Sequence, residues 1–154
     1  MSKHALCRRL AGWLTLAMLL GQVGAAGAVA SAGMFKVVQG GAVTVERNGQ
    51  VYVAAVGAPV FQGDVVVTGS DSSAGLTFED NSILSLGPSS RFAIDRYAFD
   101  STTHDGQFES TLSKGKMAVV SGKIAKHKQD AMKVRTPSTI LGIRGTEFMV
   151  DAGQ

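Results

Sequence analysis

The chain of 154 residues is the size of one typical domain. Apolar residues make up 45% and charged residues 18%, which excludes an acidic or basic disordered polymer, and 19 glycines beside 3 prolines point to many turns rather than a collagen-like or linker sequence. The formal charge of +3 and an isoelectric point near 9.2 invite nucleic acid as a partner, so the location of that charge decides the first question.

Lys3, Arg8 and Arg9 precede an uncharged stretch from Leu10 to Ala32 with a strongly apolar centre, Leu14 to Leu20. Ala28-Val29-Ala30 and Ala30-Ser31-Ala32 both supply the small residues that a signal peptidase requires. A basic start, an apolar middle and a small-residue exit predict a helical signal peptide over residues 1–32, cleaved after Ala30 or Ala32. An uncleaved membrane anchor is the competing reading, because the uncharged run is long enough to span a bilayer. Arg8-Arg9 lacks the bulky apolar residues that follow a twin-arginine signal, and Cys7 lies ahead of the apolar core, so it is not a lipid-attachment cysteine.

Cleavage after Ala32 removes all three leader cations and leaves 122 residues with 12 basic and 12 acidic side chains. The expected mature chain is therefore net neutral. It has no cysteine, so it must fold by core packing alone, and it has no second apolar run to span a membrane.

The elements of that chain read as strands. Val43 to Arg47 and Gln50 to Val53 flank Asn48-Gly49, which accepts the positive φ angles of a two-residue hairpin turn. This register pairs Val45 with Tyr52 and puts Val43, Val45, Tyr52 and Ala54 on one face. Next, Leu76/Phe78, Leu84/Leu86 and Phe92/Ile94 recur eight residues apart, each pair alternating with small or polar neighbours. Period two means strand, and Asp80-Asn81 and Gly87-Pro88 mark the turns. Asp100 to Gly106 is a polar loop. Further strands are predicted over residues 108–112, 117–120 and 132–135, and over 140–150 with interruptions at Gly142 and Gly145. No helical periodicity is sustained beyond the leader. The predicted fold is all-β: a single domain of short, mostly antiparallel strands in a meander, a flattened β-coil or a sandwich. Residues 33–59 form an N-terminal hairpin region and 60–151 the main β domain.

Charge is split along the chain. Residues 33–112 carry a net −5, whereas residues 113–135 carry +6 through Lys114, Lys116, Lys123, Lys126, Lys128, Lys133 and Arg135 against Asp130. This basic stretch suits an anionic lipid headgroup, glycan or acidic protein. No aromatic residue interleaves the lysines, which argues against nucleic acid. A solvated loop over 121–129, whose lysines discourage edge-to-edge strand pairing, is the plainer reading.

Signs of catalysis are sparse. His104 lies in the polar loop and His127 among lysines, with no close His or Cys pairing for a metal. No serine sits in a Gly-x-Ser-x-Gly elbow, and neither Gly40-Gly41 nor Gly142-x-x-Gly145 has the context of a phosphate loop. No enzyme and no cofactor are expected.

The most specific stretch runs from Val134 to Val150: a strand into Thr136-Pro137, an apolar pair, then Gly142-Ile143-Arg144-Gly145-Thr146-Glu147-Phe148. It resembles the closing motif of the FecR domain. Gly63 to Thr68 resembles the opening strand of that family. Leu76 to Leu86 resembles its Asp-Gly-Ser hairpin, with Asn81 where Gly is usual. Ser89-Ser90-Arg91-Phe92 and Lys114-Gly115-Lys116 match two further landmarks. The resemblance covers about residues 60–151. It implies an all-β periplasmic domain of the kind that, in the best-known members, relays occupancy of an outer-membrane receptor to a cytoplasmic sigma factor. Nine residues precede the apolar segment and four follow Val150, so the chain looks like the β domain exported alone, without a sigma-binding part.

The candidate interaction residues are therefore Thr136, Pro137, Gly142, Arg144, Gly145, Thr146 and Phe148 of the motif, with Lys123, Lys126 and Lys128 of the basic stretch. Arg144 either presents its guanidinium to a carboxylate partner, or pairs with an acid within the fold or caps backbone carbonyls in a tight turn, as a buried arginine needs a partner of its own. Thr136-Pro137 reads as a strand edge or corner. The expected function is an exported, non-enzymatic sensing or interaction module that binds an envelope protein or small ligand. A surface or secreted, glycan-associating structural protein is the alternative.

Overall fold

The computed structural model describes residues 29–145 and 147–153; the predicted leader up to residue 28, and Thr146, lie outside the described residues. Among the described residues, thirteen strands form two sheets. In spatial order the six-stranded sheet holds β13 (Glu147–Asp151), β10 (Lys116–Val120), β7 (Ile83–Leu86), β6 (Ser73–Phe78), β1 (Gly33–Gln39) and β4 (Pro59–Val60). The seven-stranded sheet holds β12 (Ile140–Ile143), β11 (Met132–Arg135), β9 (Gly106–Lys114), β8 (Arg91–Phe99), β5 (Val65–Thr68), β2 (Val43–Arg47) and β3 (Gln50–Val53). Every pairing is antiparallel except β9 with β11. The one helix among the described residues is a single turn, α1 (Lys123–His127).

Period-two patterning explains the core. Leu76, Phe78, Leu84, Leu86, Phe92 and Ile94 are all at most 2% exposed. They meet Phe35, Phe108, Leu112, Met117, Val119 and Val134 between the sheets. Burying each large apolar side chain contributes about 1.5–3 kcal/mol. Phe78, Tyr97 and Phe108 form an aromatic cluster with ring centroids 4.5–5.5 Å apart. Of the arrangements open to the sequence, the sandwich is the one formed. The three eight-residue units do not run on as a meander: β6 pairs with β7, but the chain then crosses to the other sheet, where β8 pairs with β5 and β9. A meander would leave one face of these apolar pairs without a cover, and the crossing supplies it.

The predicted hairpin forms with Asn48 and Gly49 at φ 52° and 77°, and Val45 faces Tyr52 in register. Tyr52, at the sheet edge, does not reach the core with Val43, Val45 and Ala54. It stays 46% exposed, with Arg47 5.6 Å from its ring centre. Residues 33–60 supply strands to both sheets, since β1 lies between β4 and β6, and β2 between β3 and β5.

Three buried serines tie the crossings together. Ser72 Oγ accepts the N–H of Ala42 (2.9 Å), Ser90 Oγ that of Lys116 (3.1 Å) and Ser82 Oγ that of Gly122 (2.9 Å). Each bond joins a crossing to a chain segment 26 to 40 residues away. At the middle latch the fit demands glycine: Gly115 has φ 86°, and a Cβ there would lie 2.2 Å from Ser90 Oγ. Apart from the two N-terminal strands at each far edge, strand order within each sheet follows chain order. The charge split along the sequence therefore becomes a split in space, with the basic stretch toward the edge closed by β12 and β13.

Candidate interaction site at the C-terminal end of the sandwich

The stretch read as a solvated loop over 121–129 contains α1, and the helix is anchored. Ile124 and Ala125 are buried, so one side of the turn is held in the core. The helix has no side-chain cap of its own. Its first N–H groups go instead to the β6–β7 turn, where the Asp80 carbonyl accepts from Lys123 N–H (2.8 Å) and Asp80 Oδ2 from Ile124 N–H (3.4 Å). Such satisfaction of orphan helix donors by a carboxylate is ordinary capping chemistry, here supplied from 44 residues away. Asp80 is fully buried, and its carboxylate also accepts from Ser82 N–H and Oγ (3.1 and 2.7 Å). The Tyr97 hydroxyl lies 3.4 Å from Asp80 Oδ1 and accepts the Asp80 N–H at 3.0 Å. Burial, with Asp80 beside it, pushes the Tyr97 phenol well above the usual tyrosine range.

With the buried side fixed, Lys126, His127 and Lys128 are exposed and Lys123 is half-buried. The β12–β13 connection lies against this segment. Ser121 Oγ donates to the Gly145 carbonyl, and Arg144 Nη1 donates to Gln129 Oε1 at 3.3 Å. Gly142 approaches so closely that a Cβ there would sit 2.8 Å from Asp130 Oδ1. The fold thus brings the lysines and the Gly-x-Arg-Gly segment to one end of the sandwich. Arg144 is exposed, and within the fold its guanidinium meets the surface amide of Gln129 rather than an acid. A guanidinium needs a buried counter-charge only when it is itself desolvated, and this one remains in water.

The other motif residues divide. Phe148 packs against the core, and Gly145 has open space around it. Thr136 and Pro137 form the β11–β12 turn, where Thr136 N–H donates to the Thr139 carbonyl (2.8 Å) and Thr136 Oγ1 accepts from Thr139 N–H (3.1 Å). This corner lies at the far end of the hairpin from Arg144, roughly 13 Å away by strand rise. Two other cations of the basic stretch are paired: Lys116 with Asp151 (3.2 Å) and Arg135 with Glu109 (3.6 Å).

His104 stacks on Phe99 with centroids 6.4 Å apart, and an open cleft of about 530 Å³ lies between its turn and Lys128. Asp100 and Asp105 line that cleft. Among the described residues, no group of three His, Cys, Asp or Glu side chains converges to hold a metal. No described helix is long and apolar enough to cross a membrane. The sequence reading missed Asp80, Ser82 and Gly122 as the anchors of the basic end. The Asp-Asn-Ser turn was visible, but its partner 40 residues on was not.

Fold and site together define a two-sheet β domain with one basic, loop-built end. A family model described as FecR protein matches residues 64–154, and the chain belongs to that family. FecR domains are regulatory and take part in signalling at the cell envelope. Neither the comparison with curated proteins nor that with solved structures gives a match.

Proposed function

We propose that this chain is exported to the cell envelope and acts there, without catalysis, as a sensing or interaction module that binds a partner through its basic end. The observation that carries this reading is the docking of two segments onto each other, the Ser121–Gly145 and Gln129–Arg144 contacts. They present Lys126, Lys128 and Arg144 from one anchored surface. Membership of an envelope signalling family supplies the context. An anionic surface of an envelope protein suits these cations, and contact with it weakens as salt rises.

Capture from envelope extract tests the proposal. The tagged mature chain is expected to retain a partner at low salt, and Lys123→Glu/Lys126→Glu/Lys128→Glu is expected to lose it. Equal retention by wild type, by the triple variant and by a scrambled control would overturn the assignment. Intact mass of the exported form is expected to show cleavage after Ala30 or Ala32, and an uncleaved mass would contradict the leader.

A further inference from the structure

Strand β13 ends the six-stranded sheet, so one side of its backbone has no strand partner among the described residues. Edge strands are normally blunted by shortness, charged side chains, proline, a bulge or an inward charge. The opposite edge of the same sheet follows that rule, since β4 has two residues and begins with Pro59. β13 is blunted only by its two outward acids: it runs Glu147-Phe148-Met149-Val150-Asp151 with no proline, and its pairing with β10 shows no bulge. Phe148 and Val150 point toward the core, whereas Glu147, Met149 and Asp151 lie on the outer face, where Met149 is 78% exposed. Inward from Met149 its own row is uncharged: Ala118, Ser85, Gly75 and Val37 follow in register.

We infer that β13 is a docking edge for an extended segment of a partner protein, carrying a cation, an apolar residue and a second cation at alternate positions. The inference rests on the reading of this chain as an interaction module, at a surface separate from the lysines of α1. An added antiparallel strand sets its outward residues opposite Glu147, Met149 and Asp151, and residues directly opposite in a ladder interact. Glu147 makes no ion pair among the described residues. Asp151 is shared with Lys116, and both side chains remain more than half exposed. Cations are therefore matched at both ends of the added strand and an apolar side chain at its centre. A second copy of this chain does not fit in the full-overlap antiparallel register, because Glu147 of each copy would stand opposite Asp151 of the other. The two edges of the seven-stranded sheet, β3 and β12, carry no charged residue and so specify no partner by charge.

The test uses the mature chain with synthetic nine-residue peptides whose centre is Lys-Thr-Val-Thr-Lys, Glu-Thr-Val-Thr-Glu, or the lysine sequence N-methylated at alternate amides. Amide NMR shifts locate the binding and fluorescence anisotropy ranks it. The lysine peptide is expected to perturb β13 and to bind about tenfold more tightly than the glutamate peptide. Glu147→Lys is expected to erase that preference, Glu147→Lys/Asp151→Lys to reverse it, and the N-methylated peptide to lose binding. Glu147 is exposed, and circular dichroism checks that the variant folds. Equal binding of the two charged peptides, perturbation elsewhere than β13, or self-association through β13 in sedimentation would overturn the inference. Envelope capture that depends on the α1 lysines but survives Glu147→Lys would sink the docking edge alone and leave the module reading standing.

Discussion

Arg47 and Asp64 are joined by two hydrogen bonds of 2.7 Å, from Nε and Nη2 to the two carboxylate oxygens, and the Asp64 side chain is completely buried. Asp64 also accepts the Phe61 N–H at 2.8 Å, and Arg47 lies 4.4 Å from the centre of the Phe61 ring. The pair links β2 to the residue at which the family match begins. Its hydrogen bond and charge raise the Arg47 guanidinium further above the usual arginine range.

Breaking this pair from one side leaves a buried carboxylate without its cation. Loss of one member of a buried pair costs about 3–5 kcal/mol, and Arg47 is 30% exposed, so Arg47→Met is expected to fall below that range, at about 2–3 kcal/mol. Urea unfolding of Arg47→Met against Arg47→Met/Asp64→Leu checks it. The double variant is expected to recover part of the loss; a double variant less stable than the single would contradict the account.

Gly115 and Gly49 separate conformational strain from crowding. Both have positive φ, 86° and 77°, but only Gly115 faces the Ser90 side chain, whereas a Cβ at Gly49 would meet nothing within 4 Å. Gly49→Ala is expected to cost about 1 kcal/mol. Gly115→Ala is expected to exceed it by at least about 1–2 kcal/mol through overpacking. Denaturant midpoints of the two variants measure the difference.

Asp80 holds the basic end in place. Asp80→Ala removes the acceptor for Ile124 N–H and both Ser82 donors, so the 121–130 segment is expected to loosen from its anchor. Limited trypsin digestion reads this directly. Cleavage after Lys123, Lys126 or Lys128 is expected to accelerate at least tenfold, well ahead of cleavage at Arg47.

Tyr97 gives a pH dependence of known sign. Its folded-state pKa lies above the unfolded value of about 10. Its contribution is therefore complete below pH 10 and is lost as pH rises from there toward the folded value. Wild-type stability is expected to fall with rising pH above 10. Tyr97→Phe is expected to start lower, having lost the bond to Asp80 N–H, but to show a flatter alkaline slope. Equal slopes would contradict the assignment.

Much of the fold was legible because alternation is a local signal. Leu76/Phe78, Leu84/Leu86 and Phe92/Ile94 marked their own buried faces, and Asn48-Gly49 fixed one hairpin and its register. The choice of sheet was not legible. Whether β8 pairs with β7 or crosses over depends on contacts such as Ser90 with Gly115, separated by 25 residues. The family landmarks near Ser90, Gly115 and Asp80 could be recognised as words, yet their physical meaning is that they touch other parts of the chain. The candidate site divides in the same way. Lysines and Arg144 stood out by composition and motif, but the bond from Arg144 to Gln129 and the anchoring of α1 by Asp80 needed three dimensions. The opening charge of +3 was a property of the predicted leader; the basic end is a local excess on a net-neutral domain.

The central claim is that this domain meets its partner at the end built by α1 and Arg144. Site-specific photocrosslinking in cells tests it most directly, with the photoreactive residue placed at Lys128 or at Arg144, and at Val51 on the far edge as the control. The account predicts a crosslinked protein from Lys128 and Arg144, absent from Val51 and abolished by Lys123→Glu/Lys126→Glu. Equal crosslinking from all three positions, or none from the basic end, would contradict it.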